Sequence, residues 1–174
     1  MKLLTRTLVR LTRIHHSRGF GIQSPTDYAF VCQVLNEHWP YYAYSQIREK
    51  DWLRRKLGRL YLRLANWRRP AAMLRDEYQP WFQAGCAKTV FYDPSDLPPQ
   101  PVELARINIA QDPDELLSRC DRRSVVIVEG IHQATSRWRA LQQDRRVGTT
   151  FDLYDCAILF FDTTKYKHHY IINF

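Results

Sequence analysis

The chain has 174 residues, 45% of them hydrophobic and 25% charged, which suits one folded domain and is too apolar for a disordered segment. No run of eighteen apolar residues occurs, so the sequence offers no helix able to span a bilayer. The net charge of +8 is uneven, with 15 Lys or Arg against 4 acids in the first 75 residues. Such a front half suits a phosphate-bearing partner or a solvated basic face.

Taken in chain order, Leu4, Thr7, Leu8, Leu11 and Ile14 recur at helical spacing opposite Lys2, Arg6, Arg10 and Arg13, which predicts an amphipathic helix. Ser24-Pro25-Thr26-Asp27 then caps a second helix that starts near Pro25 and stops before Pro40. A third helix is predicted from about Ser45 to Asn66. Its apolar stripe is Leu53, Leu57, Leu60, Leu64 and Trp67, set against solvated Arg54, Arg55, Lys56, Arg59 and Arg63.

Beyond Pro70 the pattern changes. Short apolar runs at 71–74, 88–92, 106–110 and 124–128 alternate with helix-compatible stretches, which is the signature of βαβ units. The run SVVIVEG reads as the central strand. Residues 133–144 read as a helix with Trp138 and Leu141 inward, and the last two apolar runs as strands joined at Thr163-Thr164-Lys165. The proline-rich stretch 93–101 reads as a loop. The expectation is one α/β domain over 1–174: a helical part, 1–69, and an α/β part, 70–174, with a Rossmann-like, mainly parallel sheet flanked by helices and closed by a C-terminal antiparallel hairpin.

Three stretches carry a resemblance. HHSRGFGIQSPTDYAFV is similar to an "HGxHSPF" opening, with Gln23 in place of the histidine and Thr26 in place of the aromatic. VVIVEGIHQATSRWRAL resembles an aliphatic strand followed by Asp-Gly-x-His, with Glu129 at the Asp position. FDLYDCAILFFDTTKYKHHYIINF resembles a closing "IDLYDxGIxFF" and "xxHFxxxF" pair. Together they resemble small methyltransferase-like proteins of the class I S-adenosylmethionine (SAM)-dependent fold. The resemblance implies that Asp93 meets the ribose of SAM, that Asp112 lies beside adenine, and that Glu129 faces the cofactor.

Such a cofactor needs bare backbone after the first strand. Here the turn is Arg75-Asp76-Glu77-Tyr78-Gln79-Pro80, which has no glycine and two acids where the SAM carboxylate would lie. The sequence therefore points to a degenerate relative with no cofactor, serving as an interaction or scaffold protein through self-association of its basic N-terminal helices. Its rivals are an active SAM methyltransferase with an unusual turn, and a nucleic-acid-binding module using Arg55, Arg59 and Arg63 with Tyr41, Tyr42 and Tyr44.

His132, just past the central strand, is the candidate general base, with Glu129 as its partner. Cys32, Cys86, Cys120 and Cys156 are widely spaced and read as buried thiols of a reducing, cytoplasmic setting. The acid-free start shares the composition of a mitochondrial transit peptide, although the resemblance makes it part of the domain. His15-His16 and His168-His169 have no ligand cluster beside them, so no metal is assigned.

Overall fold

The computed structural model describes residues 2–93, 96 and 101–174. Helix α1 (Lys2–Thr12) is followed by a 3-10 turn over Ile14–Gly19. Helix α2 (Pro25–Phe30) begins at the predicted cap, where Ser24 Oγ accepts the Asp27 N–H at 3.4 Å. It continues as a π-helical turn over Val31–Leu35.

The single third helix expected from Ser45 to Asn66 is two helices, α3 (Ala43–Gln46) and α4 (Trp52–Arg68). The break is chemical: the Asp51 side chain takes the Arg54 N–H at 2.7 Å, and Glu49 takes the Asp51 N–H at 2.9 Å. Backbone groups satisfied by side chains in this way start a new helix instead of extending the old one. Leu57, Leu60 and Leu64 are buried as expected, whereas Trp67 is 43% exposed.

The remaining elements are β1 (Ala72–Leu74), α5 (Gln79–Gly85), β2 (Val90–Tyr92), β3 (Leu104–Asn108), α6 (Asp114–Ser118), β4 (Val125–Glu129), α7 (Thr135–Gln143), β5 (Thr149–Asp152), β6 (Cys156–Phe160) and β7 (His168–Ile171). The domain is mixed α/β. On β4, Val125 and Ile127 join one core with α2, α4 and α5, while Val126 and Val128 join a second with α6 and α7. A strand covered on both faces is why SVVIVEG is continuously apolar. The loop read over 93–101 lies mostly outside the described residues.

The expectation of a mainly parallel sheet is corrected. The five-stranded sheet, in order β3-β4-β6-β5-β7, is mixed: β3 with β4 and β5 with β7 are parallel, while β6 is antiparallel to both β4 and β5. The strands β1 and β2 form a separate parallel pair. The closing hairpin is also displaced. It is formed by β5 and β6 within FDLYDCAILFF, because Asp152 Oδ1 takes the Tyr154 N–H at 2.8 Å and Tyr154 adopts φ 75°, which turns the chain back. With both edges of β6 filled, residues 163–165 do not make a hairpin but lead the chain to the far edge of β5.

Helix α1 and the turn after it set their basic side against the domain. Leu8, Leu11 and Ile14 are 63%, 62% and 59% exposed, while Arg6 and Arg13 face the domain and pair with Asp155 and Asp152, each at 2.8 Å. Carboxylates at the β5–β6 turn hold the basic side, so the leucines turn outward.

Candidate functional site

Strand β1 lies beside β3 without a ladder. The Glu103 carboxylate takes the Ala71 N–H at their starts, and Arg106 reaches Asp76 past the end of β1, so the two strands run the same way. From β1 the chain moves to β2 on one side and returns to β3 on the other. In open α/β sheets, ligands sit beyond the strand ends at such a reversal.

That position holds a cluster of the protein's own side chains. Arg106 Nε donates to Asp76 Oδ2 at 2.8 Å and Nη2 donates to Glu77 Oε1 at 3.1 Å, while Nη1 lies 3.3 Å from Glu129 Oε1. Arg54 holds the other side of Glu77 at 2.5 Å. The Tyr61 hydroxyl donates to Glu129, and the Arg106 guanidinium lies 4.8 Å from the centre of the Tyr78 ring. Behind this layer Tyr61 stacks on Phe82 at 5.3 Å and meets Tyr78 edge-on at 4.8 Å. Tyr78, Trp81 and Phe82 are buried, filling the space behind the glycine-free turn.

The electrostatics follow from burial. Loss of water raises the Glu129 carboxyl above its ordinary range, although the Tyr61 hydrogen bond and Arg106 pull the other way. Burial likewise raises the Tyr61 hydroxyl and the Cys156 thiol, so Tyr61 remains a donor and Cys156 is not a thiolate nucleophile. Hydrogen bonding to Arg54 lowers Glu77. The cluster is a network in which Arg54 and Arg106 face three carboxyl groups, Asp76, Glu77 and Glu129.

Of the four site residues predicted from sequence, Asp93, Asp112, Glu129 and His132, only Glu129 belongs to it, together with Asp76 and Glu77 of the glycine-free turn. Asp93 is exposed and pairs with Arg75 at 3.0 Å, and Asp112 accepts the Asp114 N–H at 3.1 Å in the loop before α6. Glu129 and His132 share a 330 Å³ cavity beyond the ends of β3 and β4, along with Asp155 and Tyr154. They are not an acid–base pair, however. The His132 Nδ1 lies 3.3 Å from the Tyr154 carbonyl and its ring stacks on Tyr154 at 4.8 Å, whereas Glu129 is committed to Tyr61 and Arg106. Among the described residues no three His, Cys, Asp or Glu side chains gather to hold a metal. All four cysteines are free, but only Cys156 is fully buried, a correction to the expectation of four buried thiols.

Sequence reasoning missed Arg106. The signal was present: Leu104, Arg106 and Asn108 share one face of β3 by the period of two, and Leu104 is core. An arginine on the core side of a strand needs a carboxylate opposite, and the RDEYQP turn supplies two. Arg63 was misplaced as well. It is buried, with Nε and Nη2 donating to the Val34 and Leu35 carbonyls at 2.6 and 3.0 Å, so it satisfies the end of the helical turn and is not on the solvated face.

No family model, curated protein or solved structure matches this chain.

Proposed function

We propose that this chain is a methyltransferase-like α/β protein without a working SAM site, which acts non-catalytically through association. The observation that carries this reading is the Arg106 network: the place where an adenosyl ligand would meet the sheet is occupied by side chains that pair with one another. SAM does not fit these residues. The turn after β1 offers Asp76 and Glu77 where the methionine carboxylate needs donors, and like charges repel in a partly desolvated site. Asp93, the ribose partner implied by the resemblance, is turned to Arg75.

Titration calorimetry with SAM tests the closed site. The expected result is no saturable binding tighter than about 1 mM. Micromolar binding that disappears on Asp93→Ala would overturn it and restore the rival, an active methyltransferase.

Association is supported by the N-terminal segment, in which Leu8 and Leu11 of α1 and Ile14 just after it are exposed while Arg6 and Arg13 hold the domain. Adjacent exposed apolar residues mark contact surfaces, and a second copy of the chain is the partner this reading favours. Sedimentation velocity is expected to show a concentration-dependent dimer that the Leu8→Gln/Leu11→Gln variant loses. Identical monomeric profiles for both proteins would dismiss self-association.

A further inference from the structure

A second and larger concavity lies away from the strand ends, in the helical part of the molecule. It has a volume of 1180 Å³, and its wall carries six cations: Arg10 from α1, Arg48 from the loop before α4, and Arg55, Lys56, Arg59 and Arg63 from α4. Only Glu37 and Glu49 among its lining residues are acidic, and Glu49 is taken by Arg54 at 3.2 Å. The periodicity explains the convergence, because positions 55, 59 and 63 recur at helical spacing and so line one side of α4.

These cations differ in how far they are committed. Arg63 is held by backbone carbonyls. Lys56 donates to the Phe174 carbonyl at 2.9 Å, and burial lowers its ammonium despite Asp155 nearby. Arg55 gives one nitrogen to the Glu49 carbonyl at 3.2 Å and keeps the rest of its fork. Arg10, Arg48 and Arg59 have no salt-bridge partner among the described residues. Arg59 packs its guanidinium 4.8 Å from the centre of the Tyr44 ring, and its Nε is buried with no hydrogen-bond acceptor. The Nδ2 of Asn36, on the same wall, is in the same position. Three arginines without a carboxylate partner on one wall, Arg10, Arg48 and Arg59, leave a positive field that favours an anion in the cleft.

Size and aromatic content narrow the class. The volume exceeds the roughly 300–1,000 Å³ of a small-molecule pocket, and a neighbouring hollow of 680 Å³ shares Cys32, Asn36, Glu37 and His38 with it, which lengthens the track. Tyr28 and Trp52, 48% and 43% exposed, lie along the cleft, and Trp39, 73% exposed, stands at the neighbouring hollow. Cations that follow a backbone, with flat rings beside them, are the features that hold unpaired nucleotides without reading their sequence. We propose that this cleft binds a segment of single-stranded nucleic acid. The inference does not rest on the closed SAM site and would survive its failure.

Fluorescence anisotropy with labelled 20-nucleotide oligo(dT) and oligo(U) tests it. Binding is expected for one or both, weakening about 20-fold between 50 and 200 mM salt if about three phosphates are neutralised. Arg55→Glu/Arg59→Glu is expected to weaken it at least tenfold. Arg139→Glu/Arg145→Glu, which makes the same charge change on exposed residues outside the cleft, is expected to stay within twofold. Because α4 is partly buried, Arg48→Glu on the exposed loop serves as the second variant, with an expected loss of three- to fivefold. Equal losses from the two double variants, duplex or polyglutamate binding as tight as the single strand, thymidine monophosphate competing as well per phosphate, or no binding to either oligonucleotide at 50 mM salt would each overturn the proposal.

Discussion

Replacing Arg106 with methionine is expected to lower the free energy of unfolding by about 3 kcal/mol at pH 7, because breaking a largely buried ion pair leaves its partners charged and unpaired. The side chain is 12% exposed and Glu129 is 15% exposed, so water replaces little of that contact, although Glu77, 49% exposed, stays hydrated. Asp76, Glu77 and Glu129 would then repel one another around the methionine. Urea denaturation measures the loss, and a variant within 1 kcal/mol of the parent would show that the network does not hold the sheet edge, with roughly that margin lying inside ordinary surface effects. Glu129→Gln is the comparison at the same site. Since burial raises the folded-state pKa of Glu129, ionising it costs more in the folded protein than in the unfolded chain. That cost is absent at low pH and grows as pH rises from the ordinary carboxylate range through the folded pKa. The glutamine variant should therefore match the parent near pH 4 and be at least as stable at pH 7. The opposite trend would mean that Arg106 outweighs desolvation.

Gly58→Ala is expected to destabilise the protein by about 2 kcal/mol, against the gain of roughly 1 kcal/mol that helix propensity alone predicts. A Cβ at Gly58 would come within 2.4 Å of the Trp81 ring, and that ring is buried between α4 and α5 with no room to swing aside. The contact is closer than any real Cβ contact, so the helices must part or the indole must leave its place. Thermal unfolding of Gly58→Ala, Trp81→Leu and the double variant reads the coupling. The double variant should lose much less than the sum of the singles. A stabilised Gly58→Ala would show that α5 rests on α4 more loosely than the structure has it.

The α/β class, the order of the strands in the chain and most of the core were legible because they depend on local periodicity. Leu57, Leu60, Leu64, Trp138 and Leu141 are buried as their spacing requires, and Ser24 caps α2 where Ser-Pro stands. Strand pairing was not legible, because nothing local says which edge of β5 will receive β7. The inward side of α1 was not legible either: leucine spacing says which residues share a side, but the Asp155 carboxylate that holds Arg6 is 149 residues away. For the same reason the candidate site was read from its ends. Asp93 and Asp112 sit at strand-end positions in the chain, while the residue that occupies the reversal, Arg106, shows its role only when β1, β3 and β4 come together.

The clasp between Arg6 and Asp155 has a consequence for biogenesis. The arginine leaves the ribosome 149 residues before its anchor, and at about 5–20 residues per second that is a wait of roughly 7 to 30 s. Throughout that interval Arg6 has no Asp155 to hold it, and from its own synthesis until β6 (Cys156–Phe160) follows, β4 lacks the neighbour that covers its open edge. Folding of this chain is thus gated by its final quarter, and translation pauses placed upstream of codon 155 would prolong exposure to chaperones and proteases.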